Sequence, residues 1–307
     1  MTAHAPSALR PLVMVDWGTS ALRVAYAHDD QVVQTRHNDQ GILKVPAGGF
    51  QQVLQDLCGD WLSEPQALCL VSGMAGSAQG WALAPYCPCP AGEAELARHL
   101  LWLTPGRLAL VPGLSCEHPH APDVMRGEEV QILGALRMQG LRDAQVVLPG
   151  THSKWVTVRD GRVTHFSTFM TGELYALMRQ HSILSRTLPS PTAEDIFNEA
   201  HFDQGVRLSL QGGSLLHHLF GVRTLALMER ARPESLASYL SGLVIGEELR
   251  THHLTAGTTV LVVGSTVLQT RYQRALAVLG VHAQPLGEAA TWTGLMALAR
   301  PLRQRQP

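Results

Sequence analysis

Two short stretches carry residues suited to holding phosphate. The first reads Asp16-Trp17-Gly18-Thr19-Ser20, with Arg23 close behind, and the second reads Gly150-Thr151-His152-Ser153-Lys154. Glycine lets the backbone turn tightly and approach a ligand unhindered. Consecutive N–H groups in such a turn form an anion-binding concavity, and the hydroxyls add donors. A third polar turn, Gly264-Ser265, follows an apolar run and precedes a helical pattern, which predicts backbone donors at a helix N-terminus. Any one of these is an ordinary turn when taken alone. The first two, however, repeat a whole design: apolar run, Gly-Thr with Ser, second apolar run, polar turn, third extended run. Gly18 stands eleven residues before Asp29, and Gly150 ten before Asp160. Two such loops, one per lobe, could hold the phosphate tail of a nucleotide.

Carboxylates placed close together can take or give protons. Asp123, Glu128 and Glu129 cluster in Asp123-Val124-Met125-Arg126-Gly127-Glu128-Glu129. The pattern predicts a helix from Asp123, its cap, to about Met138, so acids in the first turn could equally serve the helix dipole alone. Residues 73–90 hold many glycines and aromatics, among them Gly73, Met74, Gly76, Ser77, Trp81 and Tyr86. A segment that long is predicted to be an ordered loop beside a ligand.

The elements that must position these groups follow the periodicity. Three strands are expected over 11–36, a helix over 50–62 and a buried strand over 67–72, an α/β unit with a mixed sheet. A helix over 93–103 and a strand over 107–111 come next. The plan then repeats: three strands over 144–167, a helix from Thr171, an irregular stretch of short helices over 182–233 with turns at Pro189, Pro191, Gly212 and Gly213, and a long helix over 234–253. A strand over 258–263, a helix over 268–279, a strand over 282–286 and a closing helix over 288–299 complete it. Gly242 and Gly246 stand one turn apart in the long helix, which predicts either close helix packing or a ligand above it. The expected division is an N-terminal lobe of residues 1–140 and a C-terminal lobe of 141–307.

Composition excludes several classes. The 307 residues are 45% hydrophobic and 16% charged with a formal net charge of −1, so there is no basic footprint for nucleic acid. No apolar stretch approaches the roughly 20 residues that span a bilayer, and residues 1–10 lack the apolar core of a signal peptide. Five scattered cysteines point to a reducing cytoplasm, and neither the Cys87-Pro88-Cys89 spacing nor the 15 histidines match a metal motif. There is no Walker-type or dinucleotide-binding glycine pattern.

The order Asp16-x-Gly18-Thr19-Ser20, Gly150-Thr151-x-Ser153, Gly264-Ser265 resembles that of the sugar kinase, actin and heat-shock chaperone superfamily. The finer text VDWGTSALR, GMAGSAQGW with PYCPCPA, DVMRGEE, LPGTHSKW, FMTGELYAL and LSGLVIGEEL is similar to the 2-dehydro-3-deoxygalactonokinases, over about residues 13–275. The resemblance implies two ribonuclease-H-like (actin-like ATPase) lobes of duplicated βββαβα type with an interlobe cleft. It implies ATP and Mg2+ as cofactors, and phosphorylation of the terminal (6-) hydroxyl of 2-dehydro-3-deoxy-D-galactonate in galactonate catabolism. Asp16 would then hold Mg2+ through water. Gly18, Thr19 and Ser20 would face the transferred phosphoryl group with Arg23 nearby, and Gly150, Thr151, His152 and Ser153 would form the second phosphate loop. Gly264 and Ser265 would form the adenosine turn. Glu128 best matches the proton acceptor, with Glu129 and Asp123 as rivals. Arg126 and Lys154 are candidates for the substrate carboxylate, beside the 73–90 insert. Exopolyphosphatases of the superfamily also carry a Gly followed by paired Glu there, so a phosphohydrolase is the alternative, as is a kinase for another sugar or sugar acid. A non-catalytic nucleotide switch ranks last. The expected partners are a small sugar acid and ATP, neither nucleic acid nor membrane, with a homodimer left open.

Overall fold

The computed structural model describes residues 9–189 and 197–304. Expectations that fall on residues 1–8 and on Pro191 lie outside the described residues. The chain opens with β1 (Leu12–Trp17), β2 (Leu22–His28) and β3 (Gln31–Asn38), a meander of antiparallel neighbours. Helix α1 (Phe50–Leu62) follows, then β4 (Leu68–Gly73), which returns parallel to β1. Next come β5 (Cys87–Pro88), α2 (Glu93–Arg98), β6 (Leu101–Thr104), β7 (Leu108–Leu110), β8 (Leu114–Cys116), β9 (Asp123–Met125) and α3 (Glu128–Gln139).

The second half contains β10 (Ala144–Leu148), β11 (Ser153–Arg159), β12 (Arg162–Phe169) and α4 (Thr171–His181). It continues with α5 (Glu199–Leu210), α6 (Leu215–Leu227), α7 (Pro233–Arg250), β13 (Thr259–Val263), α8 (Thr266–Val278), β14 (His282–Leu286) and α9 (Ala289–Arg303).

The duplication expected from the loops is the duplication of the sheets. One sheet runs β3-β2-β1-β4-β7-β6 and the other β12-β11-β10-β13-β14. In each, the first strand of the meander sits innermost and two later strands lie parallel to it, which is the ribonuclease-H-like order. The twin polar turns match as well. Asp29 and Asp30 have φ of 47° and 60°, and Asp160 and Gly161 have 50° and 73°. Left-handed backbone at both central residues is what a twisted two-residue hairpin demands.

By contacts the chain forms two units. The first takes the chain through Ala144, Val156–Phe166 and the chain from Glu288 on, and the second takes Gln145–Trp155 and Ser167–Gly287. In the first unit Val13, Val15, Trp17, Val24, Leu54, Trp61 and Val71 form a core, all buried. Helices α3 and α9 pack so closely that a Cβ at Gly134 would fall 1.8 Å from the Ala290 carbonyl oxygen, and one at Gly294 1.8 Å from that of Val130. In the second unit the first of the two roles expected of the paired glycines holds: a Cβ at Gly242 would meet the Phe202 carbonyl oxygen at 2.1 Å, so α7 lies backbone to backbone on α5.

Four expectations need correction. The helix over 93–103 stops at Arg98, because Leu101–Thr104 pairs with β7 as an edge strand. Asp123 is not a helix cap: residues 123–125 form β9 against β8, and α3 starts at Glu128 after Gly127. The local acid-rich pattern was outweighed by a strand partner that is close in sequence. The 73–90 loop is ordered but contains β5, paired with β8. Among the described residues of 182–233 there are two full helices, of 12 and 13 residues, rather than only short turns of helix.

Candidate active site

Strands β1 and β4 run parallel, so their carboxyl ends open at one edge, with Asp16 beside Ser72. Ligands of open α/β sheets gather at such an edge. Glycine makes the edge accessible. Gly73 has φ +91°, and any side chain there would strike the Trp17 carbonyl oxygen at 2.7 Å. Gly127 has φ +105°, and its Cβ would lie 3.2 Å from the Cα of Gly73. The start of α3 thus abuts the end of β4 and delivers its acids there.

Glu129 is 1% exposed. Its Oε2 accepts the Gly127 N–H at 2.7 Å, and its Oε1 accepts the Ser72 hydroxyl at 3.3 Å. Burial, with repulsion from Glu128, pushes its pKa up to about 8. A carboxyl poised in that range suits a general base working near neutrality. Glu128 is half-buried, and its Oε2 accepts the Arg126 N–H at 3.0 Å. Asp123 does not join them. It stands opposite Cys116 in the β8–β9 pair, with Oδ1 accepting the Val124 N–H at 2.7 Å.

Asp16 and Arg23 are cross-strand partners and form an ion pair through Oδ2, and Arg23 reaches Glu288 with its other amino group. Arg23 is therefore tied between two carboxylates rather than free to face a phosphate. The Gly18–Ser20 turn is braced from outside: the Gly18 N–H donates to Ala21 O at 2.9 Å and the Ile42 N–H to Gly18 O at 3.0 Å. A Cβ at Gly41 would meet Thr19 O at 2.3 Å, while the Thr19 and Ser20 side chains stay exposed.

Arg126 is 8% exposed. Its Nη2 donates to Ala84 O at 2.8 Å, and its guanidinium lies 4.5 Å over the Tyr86 ring. Nε and Nη1 are buried with no partner, as is the hydroxyl of Ser77. Gly76 leaves the room, since a Cβ there would sit 2.8 Å from Nη1. A buried cation with unpaired N–H groups is costly and calls for an anion. Of the other residues expected from the 73–90 segment, Met74 and Trp81 pack against the first core. Trp81 stacks on Phe50 at 6.2 Å and meets Trp17 edge-on, so it props the site from behind.

In the second unit the Gly150–Ser153 turn has its own support. The Glu173 N–H donates to Thr151 O at 3.0 Å, and a Cβ at Gly172 would meet Gly150 O at 2.3 Å. His152 Nε2 lies 2.6 Å from Glu173 Oε2, near the surface. Ser153 faces inward, where Glu248 of α7 collects four donors. These are the Ser153 hydroxyl at 2.9 Å, Trp155 Nε1 at 2.5 Å, the Tyr272 hydroxyl at 2.9 Å, and the Thr171 hydroxyl. Glu248 is 2% exposed, and burial raises its pKa against the pull of those hydrogen bonds. Lys154, also buried, alternates to the other face of β11. The Gly264 turn is held by Gln269, whose Nε2 donates to Gly264 O at 2.9 Å and Leu286 O at 2.7 Å, and Ser265 is the exposed residue before α8.

Ser72 and Glu248 escaped the sequence reading. Ser72 was visible as the one polar residue closing an apolar strand before Gly73. Glu248 was visible as a carboxylate flanked by Val244, Ile245 and Leu249 on a helix with no polar face.

A sequence model of the 2-keto-3-deoxy-galactonokinase family matches residues 16–298. The probable 2-dehydro-3-deoxygalactonokinase of Rhizobium meliloti (strain 1021) is 34% identical over 294 residues, covering 94% of this chain and 96% of that one. The 2-dehydro-3-deoxygalactonokinase of Escherichia coli (strain K12) is 30% identical over 291 residues, with 94% and 97% covered. A crystal structure of a Sinorhizobium meliloti protein, given the same designation provisionally, superposes with a TM-score of 0.87 at 34% identity, over 95% of this chain and 99% of that one.

Proposed function

The chain belongs to the 2-keto-3-deoxy-galactonokinase family, and from that premise we propose that it moves the γ-phosphoryl group of ATP to the 6-hydroxyl of 2-dehydro-3-deoxy-D-galactonate. It is a kinase with an alcohol as acceptor, serving galactonate catabolism. The observation that carries the sugar-acid reading is Arg126, a buried guanidinium whose Nε and Nη1 lack partners beside the glycine-lined end of β4. Unpaired N–H groups on a buried guanidinium fit a carboxylate, and a neutral sugar would leave the charge without a partner.

In this reading Arg126 binds the substrate carboxylate, with Tyr86 beneath the guanidinium, Ser77 beside Gly76, and the segment from Gly73 through Met74 and Gly76 supplying close backbone. Glu129 takes the proton of the 6-hydroxyl as that oxygen bonds to the γ-phosphorus, and the bond from phosphorus to the ADP oxygen breaks. Ser72 and the Gly127 N–H hold the carboxyl in place. Glu128 fixes the Arg126 backbone, a positioning role, and Asp123 is too committed to β9 to be the base. The N–H groups and hydroxyls of Thr19 and Ser20 meet the transferred phosphoryl, with Gly18 giving the turn its close approach.

The residues present fit a hydrated Mg2+. Asp16, at the carboxyl end of β1 with Oδ2 engaged by Arg23, is the residue that would hold the cation through its water. When bound, the cation neutralises phosphate charge. Residues 1–140 then carry the first phosphate loop and the sugar-binding insert. Residues 141–307 carry the second loop, with Gly150, Thr151 and His152 toward phosphate and Ser153 anchoring it, and the adenosine turn at Gly264 and Ser265. Lys154 is a second cation for bound anion. Among the described residues no helix is long and apolar enough to cross a membrane, and the reaction is assigned to the cytoplasm, where ATP is found.

The test is ADP formation by purified protein with MgATP. Turnover is expected with 2-dehydro-3-deoxy-D-galactonate and not with the corresponding neutral sugar. ATP consumption with another sugar but none with this acid would overturn the substrate. Phosphate release without any sugar would favour a phosphohydrolase.

A further inference from the structure

The β8–β9 hairpin carries a second cluster that the phosphoryl chemistry does not use. Cys116, at the end of β8, and His118, two residues on, meet His165 from β12, and one ligand atom from each lies within 4.8 Å of the others. We propose that these three side chains bind a divalent cation of the zinc class. The spacing supports it. Zn–S and Zn–N bonds of about 2.3 and 2.0–2.1 Å at a tetrahedral angle place sulfur and nitrogen roughly 3.6 Å apart. Cys116 Sγ stands 3.6 Å from His165 Nδ1.

The tautomer supports it as well. His118 Nε2 lies 2.8 Å from the carbonyl oxygen of Phe166. A carbonyl only accepts, so Nε2 carries the hydrogen and Nδ1 is left as a lone pair. A ligating histidine fixed through its second nitrogen in this way is the usual arrangement of zinc sites. The two imidazoles are 4.5 Å apart and inclined at 65°, so neither stacks on the other. Cys116 is buried and His165 exposed, which places the soft ligand inside and leaves a fourth position open to water.

Sequence spacing hid the site, because the third ligand is 47 positions beyond His118. Its consequence is mechanical. Cys116 pairs with Asp123, and β9 runs directly into Arg126 and Gly127. A cation at the cluster pins the root of the segment that ends at the candidate base.

The alternative is a plain thiol–imidazole hydrogen bond at the same 3.6 Å. Titrating the full-length, chelator-treated protein with Co(II) separates the two. The expected result is one equivalent bound, with the absorption of tetrahedral cobalt and a thiolate-to-cobalt charge-transfer band, displaced by Zn(II). Cys116→Ser should remove the charge-transfer band. His165→Ala, at an exposed position that leaves the fold intact by circular dichroism, should weaken binding by at least about tenfold. Absence of the charge-transfer band in the parent protein would overturn the proposal. So would its persistence in Cys116→Ser, which would place the metal on another thiol, or unchanged affinity in His165→Ala.

Discussion

Replacing Glu129 by Gln should make the protein more stable and nearly inactive at once. In the folded chain the carboxyl has a pKa of about 8, against 4.5 in its ordinary state, because it is buried and repelled by Glu128. Between those two pH values the unfolded chain has released the proton and the folded chain still holds it. Stability therefore falls as pH rises through the window, at about 1.4 kcal/mol per pH unit and on the order of 5 kcal/mol in all. Gln removes that loss without leaving a hole: its carbonyl can accept the Gly127 N–H, and its amide can donate to the Ser72 oxygen. At pH 5 parent and variant should unfold alike. By pH 9 the variant should be the more stable by several kcal/mol, read from urea unfolding of each at pH 5, 7 and 9. Turnover should fall by about 10²–10⁴, the usual worth of a general base, measured as ADP formation with saturating sugar acid. In the parent, kcat/KM should rise with pH through about 8 as the carboxyl ionises. Loss of turnover with no stability gap opening between pH 5 and 9 would refute the strained-carboxyl argument. Turnover within tenfold of the parent would refute the base.

Arg126→Met keeps the volume and removes the charge. It should lower kcat/KM for the sugar acid by about 100-fold, the cost of some 3 kcal/mol at a buried charged contact, with little loss of folding stability, since Nε and Nη1 already lack partners. An unchanged KM would exclude Arg126 from substrate binding. Asp16→Asn should abolish turnover by weakening cation placement, and near-normal rates at saturating Mg2+ would remove that role. Glu248→Leu strands four buried donors and should cost at least about 3 kcal/mol of unfolding free energy, with Glu248→Gln costing less, because an amide oxygen still accepts. A loss under about 1 kcal/mol would show the network to be dispensable. His252, stacked on Trp155 at 4.2 Å, has its pKa lowered from 6.5 to about 4 by burial, with His253 adding to it. Protons bind the unfolded chain more tightly across that window, so the group costs about 3 kcal/mol as pH falls from 6.5 to 4. His252→Phe should flatten this acid limb in urea titrations, and an unaltered limb would assign it to other groups.

What the sequence determined by itself was whatever is local or repeated. Gly18-Thr19-Ser20 and Gly150-Thr151-His152-Ser153, each followed by a left-handed two-residue turn, set two meanders, because turn chemistry and strand alternation are written in adjacent residues. The repeat set the ribonuclease-H-like order of both sheets, and Gly242 with Gly246 set the helix contact on α5. The acids at 128 and 129 were legible as a cluster, but not which was buried. That depends on Ser72 and Gly127, brought to Glu129 by the parallel pairing of β1 with β4 and the left-handed turn before α3. The same acids misled the reading of residues 123–125, where a strand partner outweighed helical pattern. Tertiary structure alone tied Arg23 to Asp16 and Glu288, turned Ser153 inward to Glu248, left two nitrogens of Arg126 unpaired, and set His165 beside Cys116. Burial and partnership depend on residues as far as 265 positions away, and these decide charge state and reach. Spacing along the chain names the groups that can react, and packing decides which of them are held ready.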